Sequence, residues 1–236
     1  RGVVVKSPNF PDWNNLPLKH LLEKALEIPV FLENDANAAA LGEQWRGAGK
    51  GIGSMIFLTL GTGVGGGIVH EGRIWQGADG MAGEVGHMTI FPEGRLCGCG
   101  NTGCLEMYAS SRGIVMSYLE RMCGERSGHD RSAVTSAAIY RAARDGEEIA
   151  RRVMQEMGRC LGIGIANLIN IFNPEAVVIG GGVKDAWDLF IETAREEIRK
   201  RAFEYPAERT QIVPSMLGDD AGIVGAAAVA LQHIEG

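Results

Sequence analysis

No basic cluster runs along this chain. Its 29 aspartates and glutamates outnumber 23 lysines and arginines, for a formal charge of −6, and nothing tracks a phosphate backbone. Nucleic-acid binding through this region is therefore not expected. No apolar run is long enough to span a bilayer, and the opening residues show no signal-peptide pattern, so no membrane partner is expected. No Gly-X-Y period and no low-complexity run accompany the 34 glycines, which are read as turn and loop chemistry rather than disorder. No short-period repeat is visible. Disulfide arithmetic fails as well. Five cysteines are an odd count, and three of them lie between Cys97 and Cys104. That suits a reducing, cytoplasmic compartment and a metal better than a disulfide framework. Nor does a methionine stand first. GVVVKSPNF after Arg1 reads as a strand already under way and then a turn, so a fragment with its natural beginning upstream is expected.

What is present suffices for a sizeable core. Hydrophobic residues make up 45% of 236, enough for one large domain or two small ones. Val3 to Val5 reads as a short strand ended by Pro8. Helical spacing from Leu16 to Leu26 stops at Pro29, and Val30-Phe31-Leu32 reads as a buried strand. A helix follows from Ala36. Ser54 to Leu60 and Gly67 to Val69 read as strands around the loop GTGVGG. Helices are predicted over Leu105 to Met122, Ser132 to Arg144 and Glu147 to Ile171. Ala176 to Ile179 is a short buried strand ending in Gly180-Gly181-Gly182. Trp187 to Phe203 is an amphipathic helix, Ile212 to Pro214 a strand, and Ala221 to Ile234 an apolar helix with Asp219 or Asp220 as its cap. Strands alternate with helices, so the class is α/β.

The densest chemistry lies in GHMTIFPEGRLCGCGNTGCLE. His87, Cys97, Cys99 and Cys104 follow the spacing H-x9-C-x-C-x4-C. Zinc takes four ligands tetrahedrally, and three cysteines with one histidine form a standard structural set. Gly98 and Gly100 permit the tight turn that neighbouring ligands need. Four protein ligands leave no open position for water, so the metal expected is structural Zn2+. Buried free thiols are the alternative. A zinc-bound histidine keeps a second ring nitrogen, which makes His87 a candidate for metal and substrate alike. Cys123 and Cys160 read as core or surface thiols.

Two further stretches carry weaker signals. LTLGTGVGGGIV offers backbone N–H groups able to cradle phosphate oxygens, although a plain glycine hairpin explains it equally well. It is neither a Walker loop nor a dinucleotide fingerprint. In ENDANAAALGE, Asp35 sits where a helix begins, and the helix dipole favours an ionised carboxylate there. Such a group can accept a proton from a substrate hydroxyl. Asn34 beside it suits a sugar hydroxyl. An Asx helix cap is the competing explanation. Trp13, Trp45, Trp75 and Trp187 read as packing residues. His20, His70, His129 and His233 show no identifiable partners.

Together ENDANAAALGE, LGTGVGGG, GEVGH, CGCGNTGCLE and NPEAVVIGGGV resemble, in order, the ROK family of repressors, open reading frames and sugar kinases, and within it the glucokinases. The resemblance implies an actin-like ATPase (ribonuclease H-like) fold of two lobes around a cleft. Residues 1–45 would be the remnant of a small N-terminal lobe, 46–220 the large C-terminal lobe, and 221–236 a helix returning to the small lobe. It implies transfer of the ATP γ-phosphoryl group to the 6-hydroxyl of a hexose, glucose first, with Mg2+ accompanying ATP. Asp35 would be the catalytic base. Asn34, Glu84, His87 and Glu106 would bind the sugar. Gly61, Thr62 and Gly63 would form the second phosphate loop, and Gly180, Gly181 and Gly182 would meet the adenosine. The family's first phosphate loop has no counterpart here, so the fragment is expected to turn over little and to leave an apolar surface uncovered. A homodimer or tetramer is the family's habit. The rivals are a sugar-sensing repressor, a kinase for fructose, N-acetylmannosamine or N-acetylglucosamine, and a zinc-stapled protein without catalysis.

Overall fold

Alternation along two buried strands sets the architecture. A computed structural model describes residues 2–6, 10, 12–122 and 134–235; Cys123 and His129 lie outside them. In chain order the first elements are β1 (Val4–Lys6), β2 (Asn14–Leu16), α1 (Leu18–Leu26) and α2 (Asp35–Arg46). Then come β3 (Met55–Leu60), β4 (Val64–His70), β5 (Arg73–Ile74), α3 (Glu106–Ala109), α4 (Ser111–Met122) and α5 (Ser136–Arg144). The last are α6 (Glu148–Phe172), β6 (Ala176–Gly180), α7 (Trp187–Arg201), α8 (Glu204–Arg209), β7 (Gln211–Pro214) and α9 (Ala221–Glu235).

Five strands pair in the order β5-β4-β3-β6-β7. β3, β6 and β7 run parallel, β4 runs antiparallel to β3, and β5 runs antiparallel to β4. Both faces of the sheet are covered, as a buried parallel sheet requires. Ile56, Leu58, Leu60, Val177 and Ile179 point to one face, where α6 supplies Val153, Met154, Met157 and Leu161. Their neighbours Met55, Phe57, Ala176 and Val178 point to the other, against Ala40 of α2. The strand period of two thus builds two cores from one run of apolar residues. Helix α9 packs on α2. Their backbones touch: a Cβ on Gly225 would run into the Ala38 carbonyl, and one on Gly42 into that of Ala221.

Several elements differ from the sequence reading, each for a local reason. Val30-Phe31-Leu32 pairs with no strand among the described residues. Phe31 instead stacks on His233 at 4.4 Å, and the Val30 N–H donates to Glu23 at 3.2 Å. The span from Leu105 is two helices broken at Ser110, whose Oγ accepts from the Gly113 N–H (3.0 Å) and caps α4. Helix α7 ends at Arg201 and a separate α8 follows, because the Phe203 N–H is taken by Asn170 Oδ1 (3.0 Å). Asp219 and Asp220 lie in a 3-10 turn that runs into α9. His70 meets Ser54 at 3.1 Å. No helix among the described residues is long and apolar enough to cross a membrane.

Candidate functional site

Ligands of open α/β sheets collect beyond the carboxyl ends of the strands. Here that position holds a cleft of about 430 Å3, lined by Asn34, Asp35, Gly61, Thr62, Gly63, Glu84, His87 and Glu106 among others. Every side chain expected at the sugar therefore lies on one cavity, although those residues come from α2, the β3–β4 turn, the segment after β5 and the start of α3.

On the α2 side the cap is Asn34, not Asp35. Its Oδ1 accepts from the Ala36 and Asn37 N–H groups at 2.9 and 3.2 Å. The Asn34 oxygen is thus spent on the helix, which leaves its amide N–H2 for a ligand. Asp35 is the first helical residue and is exposed. One of its oxygens accepts from Ala36 N–H at 2.8 Å, and the other has no hydrogen bond among the described residues.

The turn at the strand end is shorter than its sequence suggests. Gly65, Gly66 and Gly67 belong to β4, and only Gly61, Thr62 and Gly63 connect the strands. Glu106 Oε2 accepts the Val64 N–H at 3.1 Å. A Cβ on Gly63 would occupy the place of that carboxylate. Gly181, at φ +80°, lies against Leu60, where a Cβ would overlap the Leu60 carbonyl. The Gly180–Gly182 turn thus abuts the base of the Gly61 turn. It does not line the 430 Å3 cleft itself.

The cysteine loop closes the opposite side. Ligand atoms of His87, Cys97, Cys99 and Cys104 all lie within 4.8 Å of one another. Cys99 and Cys104 sulfurs are 3.7 Å apart, and Cys97 Sγ is 3.6 Å from His87 Nδ1. A tetrahedron with metal–sulfur bonds of about 2.3 Å has edges of about 3.8 Å, whereas a disulfide would need about 2 Å. Burial pushes the Cys104 thiol up to about 12 and raises that of Cys97. A backbone hydrogen bond at Asn101 lowers that of Cys99. Buried thiolates need a cation, and these four residues can hold a metal ion. The other imidazole nitrogen, Nε2, faces Glu84 Oε2 at 4.0 Å. One ring therefore serves the cluster with one nitrogen and the cleft with the other. Arg95 fastens the loop to α3 and α4, donating to the Met107 carbonyl (2.7 Å) of the first and to Glu120 (2.6 Å) and Ser117 (2.9 Å) of the second.

Three polar residues escaped the sequence reading, although all stand in the ENDANAAALGE stretch. Glu33 accepts from the Asn34 N–H, from Asn37 Nδ2 and from Gln76 Nε2. Asn37 is buried at the cleft. Glu43 is fully buried, with no cationic partner among the described residues. Its carboxylate accepts from Ser215 Oγ (2.6 Å) and from the N–H groups of Ala48 (2.7 Å), Leu217 (2.8 Å) and Met216 (3.2 Å). A glutamate amid alanines and glycines was the available signal.

The family model for ROK proteins matches residues 1–233. The chain belongs to the ROK family. It is 42% identical to a glucokinase of Halalkalibacterium halodurans over 231 residues, covering 95% of this chain and 70% of that protein. It is 37% identical to a xylose repressor of Caldicellulosiruptor bescii, covering 99% of this chain and 59% of that one. Among solved structures, a ROK family glucokinase from Streptomyces griseus in complex with glucose and AMPPNP superposes with a TM-score of 0.85 at 38% identity, over 98% of this chain and 77% of that chain. The fold is the actin-like ATPase fold of the ROK sugar kinases.

Proposed function

We propose that this chain is the sugar- and nucleotide-binding body of a cytoplasmic, ATP-dependent hexose kinase, with glucose as first substrate. One observation carries the reading: Asn34, Asp35, Glu84, His87 and Glu106 converge on a single cleft beside the Gly61–Gly63 turn. The glucokinase of H. halodurans and the glucose- and AMPPNP-bound structure from S. griseus support it.

In this reading Asp35 accepts the proton of the 6-hydroxyl as that oxygen bonds to the γ-phosphorus and ADP departs. The Asn34 amide, Glu84, His87 Nε2 and Glu106 hold the ring hydroxyls. Gly61, Thr62 and Gly63 face the phosphates, and Gly180, Gly181 and Gly182 the adenosine. No lysine or arginine lines the cleft among the described residues. Mg2+ accompanying ATP would offset the triphosphate charge. His87, Cys97, Cys99 and Cys104 would hold a structural Zn2+, and His87, bound through Nδ1, would keep Nε2 toward the cleft. Residues 1–45 and 221–236 belong to the smaller lobe and 46–220 to the larger. A homodimer or tetramer is the proposed assembly.

The likeness to a xylose repressor favours a second reading, a sugar sensor without transfer chemistry. A sensor has no use for a base at Asp35 or a phosphate turn at Gly61–Gly63, and both are intact. Sugar-dependent ADP release from ATP separates the two, measured on the full-length natural protein. The panel holds glucose, fructose, N-acetylmannosamine and N-acetylglucosamine, beside Asp35→Asn. The kinase reading expects turnover with one hexose and a loss of about 10³-fold in Asp35→Asn. Hexose binding without ADP release would sink it in favour of the sensor.

A further inference from the structure

A carboxylate outside the cleft touches two of the segments that build it. Glu33 does not line the cleft; with Gln76 it lines a neighbouring cavity of about 720 Å3. Its Oε1 accepts from the Asn34 N–H at 2.9 Å and from Asn37 Nδ2 at 2.9 Å. Its Oε2 accepts from Gln76 Nε2 at 2.7 Å, across 43 residues of chain. Asn34 caps α2 and lines the cleft beside Asp35. Asn37 is 2% exposed, so its amide donor depends on Glu33 for a partner.

Gln76 stands at the base of the segment that brings Glu84 to the cleft. No helix or strand shapes that segment, since β5 ends at Ile74 and the next 3-10 turn starts at Val85. The Ala82 N–H donates to the Gln76 carbonyl at 3.1 Å and closes the loop back onto Gln76. Gly80, Ala82, Gly83 and Glu84 then line the cleft. The helix dipole explains a carboxylate placed just before a helix. It accounts for the bond from the Asn34 N–H, but not for the bond from Gln76.

We propose that Glu33 is a positioning residue for hexose binding: by holding Asn34, Asn37 and Gln76 at once, it sets the spacing between Asn34–Asp35 and the segment that carries Glu84. The inference rests on the hexose reading above. Glu33 touches no substrate. It acts on where the sugar-contacting groups stand before the sugar arrives, and a site of this kind loses heavily when its groups are displaced by about 1 Å. The Gly61–Gly63 turn shares no hydrogen bond with Glu33 among the described residues, so nucleotide affinity should not depend on it.

The test is calorimetry on the full-length natural protein with two probes, AMPPNP and the hexose of the panel above that wild type binds most tightly, glucose being expected. Gln76→Glu sets two carboxylates against each other and is expected to weaken the hexose about fivefold. Glu33→Gln should cost about twofold, because the exposed Gln76 amide can turn to accept from it. The double variant reverses donor and acceptor across the contact while Oε1 keeps its two N–H partners. It should bring hexose affinity back to within about twofold of wild type. AMPPNP affinity is expected to hold throughout. Gln76 is exposed, so these variants test the contact without opening the core. Unchanged hexose affinity in Gln76→Glu overturns the proposal. So does a double variant that binds no better than Gln76→Glu, or a loss shared equally by AMPPNP, which is the mark of a loosened fold. If wild type binds no hexose of the panel, the hexose reading itself falls, and that is visible before any variant is titrated.

Discussion

Helix α2 meets its neighbours backbone to backbone, whereas the facing wall of the cleft, residues 84–106, adds side-chain cross-links to its backbone hydrogen bonds. On the α2 side Gly42 and Gly225 bring two helices into contact, and Gly67 seats β4 against Ala36 and Ala40. Glu43 adds buried polar fastening there, and Glu33 and Gln44 add hydrogen bonds to Gln76 and to the Ile52 carbonyl. On the loop side regular structure is scarce: a 3-10 turn at Val85–His87 and isolated bridges at Thr89–Cys104 and Leu96–Thr102. Beyond its backbone hydrogen bonds, its shape is fastened by the sulfur–imidazole cluster and by Arg95. Close packing gives a stiff wall without special chemistry. An irregular loop attains the same precision only with cross-links.

The largest effect is expected at the packed wall. Glu43→Ala removes the acceptor of three partly buried N–H groups and of the buried Ser215 hydroxyl, at a cost of about 3 kcal/mol, read from urea unfolding. A loss below about 1 kcal/mol would mean that backbone contact alone holds α2. Next comes the loop. Cys99→Ser is expected to lower bound zinc, stability by about 2–3 kcal/mol, and hexose affinity together. If zinc falls while stability and affinity survive, the loop does not need the metal, and the contrast between the walls collapses.

Gly63→Ala probes the seam where the walls meet. The added methyl displaces Glu106 from the Val64 N–H, so hexose affinity should drop about fivefold at a stability cost of roughly 1 kcal/mol. An affinity equal to wild type would show that Glu106 needs no anchoring by the turn. The smallest effect lies far from both walls. Glu197 is buried between α6 and α7, and its hydrogen bond to Arg201 (2.8 Å), aided by Lys200 (3.2 Å), holds its carboxyl below the usual carboxylate range. A pKa depressed on folding contributes stability above the unfolded value of about 4.3, and that stability is lost as pH falls through the lower folded value. Glu197→Gln should therefore be less stable than wild type at neutral pH, the gap closing in acid, with sugar affinity unmoved throughout. A gap that persists in acid would assign the loss to packing instead.

Local signals served well where the chain is locally self-consistent. The long apolar period of α6 and the β-branched run of β6 were legible, since burial on one side or on both writes itself into spacing. The His87–Cys97–Cys99–Cys104 cluster was legible because ligand chemistry is specific to residue type. Short elements escaped. β2 and β5 exist only through pairing with β1 and β4. Val30–Leu32 has strand-like composition but found side-chain partners in place of a neighbouring strand. Ser110 was a readable cap inside an otherwise helical stretch. Asp35 and Asn34 were both singled out, yet the division of labour between cap and cleft residue followed from dihedral angles that spacing does not encode. Asn37 looked like one more polar residue on a helix until its amide was found buried with one end unpaired.

Family, fold class, the alternation of strands with helices and the four residues able to hold a metal were determined by the sequence alone, because each depends on residue type and near-neighbour spacing. The tertiary structure decided that Asp35, Glu84, His87 and Glu106 share one cleft, that Gly181 abuts Leu60, and that Gln76 reaches Glu33. Those are contacts between segments distant in the chain. They are set by the need to bury both faces of one sheet at once, and no local pattern records how that need is met.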